Sequence, residues 1–245
     1  MKSDNTKIKL RWELQQTGVE DAMDTAIKIT SNRHLAINQM LWDGRSRLKN
    51  HVDALGPRMT EGARYDYPLN ADSVVLDCGG YKGEWAEAIY RRYNCTVHVF
   101  EPIAAFYQRI AEKFRGVAKV HVHDYGVADF SGEMPFGIQN DSTGQFSQSA
   151  EREMVELRAV DRVIADLGLA RIHLLKLNIE GAEFGVIETL LDTGLISQVD
   201  DLQVQFHECA TDSRKRYEVI QERLPETHFL TLYTGWQWQS WRRTK

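Results

Sequence analysis

From residue 74 onward, short apolar runs alternate with stretches in which apolar residues recur every three or four positions. The runs, bounded by glycine, proline and polar turn residues, read as strands near 74–78, 96–100, 118–123, 172–178 and 201–207. Between them, Glu84–Tyr93 and residues 103–115, 181–191 and 212–223 carry helical spacing. Two last strands, 228–233 and 236–241, flank Thr234-Gly235 and read as a hairpin, antiparallel at the sheet edge. This alternation predicts an α/β domain whose mostly parallel sheet is covered on both faces. Trp236, Trp238 and Trp241 are expected on one face of the last strand, packed on a helix.

Two regions stand outside the rhythm. Residues 1–70 read as a mostly helical, mixed-charge extension with Pro57 and Gly62 near its end, leaving 71–245 as the main domain. The extension could cover the site or form the contact between copies in a homo-oligomer. Residues 129–150 are polar and glycine-containing, and a connection of that length is usually functional or disordered.

A length of 245 residues suits one α/β domain with an extension. The net charge of −5, with no long basic run, argues against a phosphate-neutralising surface, so nucleic acid is not an expected partner. No segment has the roughly 20 apolar residues that span a bilayer, and the polar start MKSDNTKIKLRWE lacks the apolar centre of a secretory signal, so a cytoplasmic chain is expected. The three cysteines, Cys78, Cys95 and Cys209, have no CxxC spacing and read as reduced thiols, not metal ligands.

The candidate chemistry begins at VVLDCGGYKG. An apolar strand stops on Asp77 and opens into a turn with Gly79, Gly80 and Gly83 before a helix, so backbone N–H groups and Cβ-free positions can approach a nucleotide-like ligand. The next strand ends in Glu101-Pro102, an acid placed for ribose hydroxyls. Asp77 directly before the glycines would repel a pyrophosphate, whereas S-adenosylmethionine carries an ammonium and a sulfonium that a carboxylate favours. Tyr81 and Trp85 beside the loop are candidates to line the pocket, a ring near a sulfonium gaining cation–π attraction, although core packing suits Trp85 better. Asp124 and Tyr125, after the third strand, are placed to meet the adenine, with a plain turn as the competing reading.

These motifs resemble the FkbM family of S-adenosylmethionine-dependent methyltransferases. The matching pieces are VVLDCGGYKGEWA, VHVFEP, DYGVADFSGE, VELRAVDRVIADLG and, most specifically, LLKLNIEGAEFGVIETL, together covering roughly residues 72–210. The resemblance implies the class I methyltransferase fold, a Rossmann-like seven-stranded sheet ending in the hairpin, and O-methylation of a hydroxyl on a sugar, polyketide or similar small molecule. Asn178 stands where the family usually has aspartate. An amide takes no proton at pH 7 and is a weak metal ligand, so no metal is expected, but its carbonyl oxygen can still accept from the methionine ammonium.

An alcohol acceptor must lose a proton, and Glu180, Glu183, His207 and Glu208 fall near the carboxyl ends of the fourth and fifth strands, where ligands of open α/β sheets bind. His207 suits neutral-pH proton abstraction, although a structural histidine fits equally. Glu180 is favoured by the resemblance because it follows Asn178 in the motif. Glu180 and Glu183 would also serve simply as acids at a helix start. Lys176 is expected to pair with a neighbouring acid. A nicotinamide-dependent oxidoreductase and a non-catalytic S-adenosylmethionine-binding module remain the alternatives.

Overall fold

The computed structural model describes residues 61–138, 144, 147, 149–209, 212–234 and 238–244. In chain order its elements are β1 (Val74–Cys78), α1 (Glu84–Tyr93), β2 (Thr96–Phe100), α2 (Ala104–Lys113), β3 (Val120–His123), β4 (Gly126–Ala128), β5 (Gly132–Gly137), β6 (Arg152–Ala159), α3 (Val160–Asp166), β7 (Ile172–Leu177), α4 (Glu183–Asp192), β8 (Val199–Gln205), α5 (Ser213–Arg223), β9 (His228–Thr234) and β10 (Trp238–Arg243). Of the expected helical extension, residues 1–60 lie outside the described residues, and Glu61–Tyr65 form a 3₁₀ turn. Ahead of residue 71, Tyr67 is already bonded to the sheet: its hydroxyl lies 3.0 Å from Ser240 Oγ and accepts from Gln203 at 2.7 Å.

β1 is buried along nearly its whole length, as a strand can be where helices cover both faces of a sheet. Successive side chains point to opposite faces. Val75, Val97, Val99 and Leu174 therefore cluster with Trp85, Ala86, Ile89 and Ile110 of α1 and α2. Leu76, Phe100, Leu175 and Leu177 join Val163, Phe184, Ile187 and Ile220 of α3, α4 and α5 on the other face.

The strand order is β3-β2-β1-β7-β8-β10-β9, parallel except for β10, which runs antiparallel to both neighbours. This is the expected seven-stranded sheet with its C-terminal hairpin. The order reverses between β1 and β7, and in open α/β sheets the crevice outside the strand carboxyl ends at such a point receives ligands.

Two expectations change. Residues 129–150 are not one continuous loop: β5 pairs with β6, and β4 joins them in a second, three-stranded sheet of order β4-β6-β5. Met134 and Phe136 alternate along β5 and pack against the cluster of Ile103, Ala128, Val155 and Leu157. Pro135 between them is tolerated because β5 is an edge strand. The three tryptophans do not share a face. The register of β10 on β8 is unbroken, so Trp238 and Trp241, three apart, point opposite ways. Trp241 is fully buried among Phe184, Phe206 and Tyr217, whereas Trp238 lies under the Arg64 guanidinium, 4.2 Å from its ring centre. Trp236 lies outside the described residues.

His228 begins β9 buried and neutral, with Nε2 donating to the Val199 carbonyl at 2.9 Å and Nδ1 2.9 Å from Thr227 Oγ1. Burial lowers its pKa to about 4. A histidine depressed in the fold contributes stability that is present above its unfolded pKa near 6.5 and lost as pH falls through the folded value. Chemical denaturation should therefore show a loss of up to about 3 kcal/mol from this group between pH 6.5 and 4. His228→Gln should flatten that part of the profile, and an unchanged slope would assign it to other groups.

Candidate active site

The turn after β1 is shaped by what a Cβ would strike. Gly79 has φ +87°, and a side chain there would run into the Asn178 carbonyl at the end of β7. At Gly80 a Cβ would lie 2.5 Å from Val99 Cγ1 and 2.9 Å from Ile110 Cδ1, so that glycine lets the turn settle on β2 and α2. Tyr81 takes a left-handed φ of 50° and donates its N–H to Glu101 Oε2 at 2.8 Å. Glu101 Oε1 accepts from Ile103 N–H at 3.0 Å. Burial raises the Glu101 carboxyl to about 7 against these two amide bonds.

A pocket of about 800 Å³, its mouth included, opens at this edge. Gly79, Tyr81, Glu101, Pro102, Asn178 and Glu180 line it together with Ile103 and Phe106 at the start of α2 and Val127, Phe136 and Leu157 of the small sheet. Gly126 lines it too, and a Cβ there would lie 2.7 Å from Leu157 Cδ2. The mix of apolar wall and few polar groups is that of a small-molecule site. Asn178 Oδ1 is buried with no hydrogen-bond partner among the described residues. Among those residues no group of three or more histidine, cysteine, aspartate or glutamate side chains could hold a metal.

Several sequence candidates lie elsewhere. Asp77 is fully buried and does not line the pocket; strand parity turns it to the α1 face, where Lys176 Nζ lies 2.8 Å from Oδ1. The same ammonium donates to the Gly79 carbonyl at 2.7 Å, so the pair braces the glycine turn from behind. Burial raises the Asp77 carboxyl above the usual range while Lys176 pulls it down. Lys176 thus has the acidic partner expected of it. Gly80 packs beneath the turn and Gly83, φ +71°, precedes the first residue of α1. Trp85 packs in the core with Ile89. Asp124 is exposed. Tyr125 packs on Phe100 at 5.5 Å, with the Arg158 guanidinium 3.8 Å from its ring centre. The two residues that follow, Gly126 and Val127, reach the pocket instead.

His207 stands one layer behind the wall. Its Nε2 lies 3.4 Å from Glu180 Oε1, and its Nδ1 lies 3.1 Å from Glu183 Oε1. Glu183, fully buried, also accepts from His207 N–H at 2.7 Å and, through Oε2, from Gly181 N–H at 2.8 Å. Burial disfavours the imidazolium, yet the Glu183 hydrogen bond and the charges of Glu183 and Glu180 outweigh it and raise His207 above its ordinary value. Glu180 adopts φ 51°, and a Cβ on Gly144 would lie 2.8 Å from Glu180 Cβ, so Gly144 packs close beside it. Glu208 is exposed and faces Arg214.

The pocket's apolar wall escaped sequence reading because much of it comes from the small sheet. A usable signal was the alternation of Met134 and Phe136, followed by Val155 and Leu157 in the next strand.

The sequence matches the methyltransferase FkbM domain family over residues 77–228. No curated protein matches it. Among solved structures it is similar to a protein of Clostridium thermocellum assigned as an rRNA methylase, with 9% identity, TM-score 0.50, and coverage of 77% of this chain and 98% of that one. An rRNA methylase from Streptococcus thermophilus gives 10% identity, TM-score 0.47, and coverage of 72% and 90%. SMU.1697c of Streptococcus mutans, assigned as a methyltransferase and solved with SAH, gives 9% identity, TM-score 0.46, and coverage of 72% and 91%.

Proposed function

Because the chain belongs to the FkbM methyltransferase family, we propose that it transfers a methyl group from S-adenosylmethionine to a hydroxyl of a small molecule. The observation that carries the cofactor assignment is the meeting of Gly79, Glu101 and Asn178 at the point where the strand order reverses. The residues fit the group. Gly79 lets the turn after β1 lie directly against the Asn178 carbonyl at the pocket wall, and Asn178 Oδ1 is a buried acceptor with no donor among the described residues, which an ammonium would supply. Glu101 is placed for the ribose hydroxyls, and Ile103, Val127 and Leu157 offer an apolar wall for a purine.

S-adenosylmethionine, when bound, supplies an electrophilic methyl on a sulfonium. The chain's part is alignment, exclusion of water and disposal of the acceptor's proton. Glu180 on the pocket wall, backed by His207, is the group placed to receive that proton. The negative net charge and the apolar wall favour a small acceptor over RNA. A screen of cell extract with radiolabelled methyl donor tests this: label should appear in a small metabolite carrying a base-stable, ether-type methyl. Label recovered in RNA, or in no product, would overturn the assignment.

Glu101 gives the cofactor reading a pH signature. Its carboxyl, held up to about 7, must ionise to accept strongly from two hydroxyls. Affinity for S-adenosylhomocysteine should therefore rise about tenfold between pH 6 and 8. Glu101→Ala should lower affinity at pH 8 by at least about tenfold, the loss of 1.5 to 3 kcal/mol typical of charged hydrogen bonds. Calorimetric titration reads both, and a pH-independent affinity in the native chain would remove Glu101 from the ribose.

A further inference from the structure

Glu183 has no place among the cofactor contacts, yet it is fully buried and both its oxygens accept hydrogen bonds. A buried carboxylate is costly unless it is so satisfied. Three of its contacts converge on two sites: the Gly181 N–H in the turn that carries Glu180, and the backbone N–H and ring Nδ1 of His207 beyond β8. One side chain therefore fixes both the turn bearing the pocket carboxylate and the imidazole behind it.

We infer that Glu183 is a positioning residue of the methyl-transfer site: by holding Nδ1–H of His207 it directs Nε2–H at Glu180, so that the carboxylate at the pocket wall receives the acceptor's proton with a cation at its back. The inference rests on the methyltransferase reading. The ring lies between two carboxylates, Nδ1 at 3.1 Å from Glu183 Oε1 and Nε2 at 3.4 Å from Glu180 Oε1, so a ring protonated on both nitrogens directs an N–H towards each. The charged groups bearing on it are Glu183 at the start of α4, Glu180 in the preceding turn and Lys176 of β7, which acts in the opposite sense. The two acids prevail, and the ring's pKa lies above the ordinary histidine value. The acceptor's O–H bond would break as its oxygen takes the methyl, the S–CH₃ bonding pair of the bound donor staying on sulfur and the proton passing to a Glu180 oxygen, while His207 Nε2–H stays in place throughout. His207 is then not the base; it keeps Glu180 oriented until the proton arrives.

The test is a titration of the full chain labelled with ¹⁵N-histidine, the His207 signals being assigned by their loss in His207→Gln. At pH 6.5 the native ring should show two protonated nitrogens, with a midpoint above about 6.5. Glu183→Gln should lower that midpoint by about one unit or more, Glu180→Gln should lower it less, and Glu183→Asp should recover part of the Glu183→Gln shift. A neutral His207 in the native chain at pH 6.5, or a midpoint unmoved in Glu183→Gln, would overturn the inference. The native and Glu180→Gln measurements decide it even where Glu183→Gln does not fold, for a midpoint indifferent to Glu180 would equally contradict it. Calorimetry with S-adenosylhomocysteine on the same native sample keeps the readings apart. Absence of binding there counts against the cofactor assignment, whereas intact binding with a neutral ring counts against the role of Glu183 alone.

Discussion

Asp77→Ala should cost the protein about 3 to 5 kcal/mol of stability and should not behave as a clean binding mutant. The side chain is fully buried, and its removal leaves the Lys176 ammonium inside the sheet with backbone carbonyls as its remaining partners. Removing one member of a buried ion pair strands the other charge, and the penalty is of that order. Replacing both members, as in Asp77→Leu with Lys176→Met, should recover most of the loss because the paired apolar side chains leave no charge behind. Urea unfolding followed by circular dichroism compares both variants with the parent. A single Asp77→Ala variant as stable as the parent, with weaker S-adenosylhomocysteine binding, would place Asp77 in the cofactor site after all.

Gly79→Ala should weaken S-adenosylhomocysteine binding by on the order of a hundredfold, about 2.7 kcal/mol. Two costs add. A left-handed φ in a non-glycine residue costs about 1 to 3 kcal/mol, and the new Cβ meets the Asn178 carbonyl, which cannot yield without moving the end of β7. Either adjustment displaces Asn178, the proposed acceptor for the ammonium. Gly116→Ala is the control, since Gly116 has φ +80° with open space around the Cβ position. It should carry a conformational cost and leave affinity unchanged. Equal loss in both variants would show that the effect is general destabilisation and not the displacement of Asn178.

The main sheet was legible because β1 (VVLDC) and β7 (IHLLKL) at its centre are short, mostly apolar runs and α1 buries Trp85, Ala86 and Ile89 along one side; α1 occupies Glu84–Tyr93 as its spacing predicts. The small sheet was not, because β5 is an edge strand with one covered face, interrupted by Pro135 and flanked by glycines, a pattern that local reading assigns to a loop. Within the site, the glycine turn and Glu101 were legible through spacing alone. Asp77 shows the limit of that reading: a motif position says that an acid stands beside the loop but not which face of the strand it occupies, and parity decides in favour of Lys176. His207 and Glu180 were visible as candidates, but their connection through Glu183 depends on a side chain from α4 reaching across to the end of β8, a contact between residues 24 apart. No periodicity encodes such a contact.

The central claim, that the crevice at the carboxyl ends of β1, β2 and β7 is an S-adenosylmethionine site, is tested most directly by calorimetric titration of the full chain at pH 8. Separate titrations with S-adenosylmethionine, S-adenosylhomocysteine and NAD are compared. Saturable one-to-one binding of both adenosyl ligands, lost in Gly79→Ala and weakened in Glu101→Ala, with no heat from NAD, is the expected result. Binding of NAD in their place, or adenosyl binding indifferent to both substitutions, would contradict it.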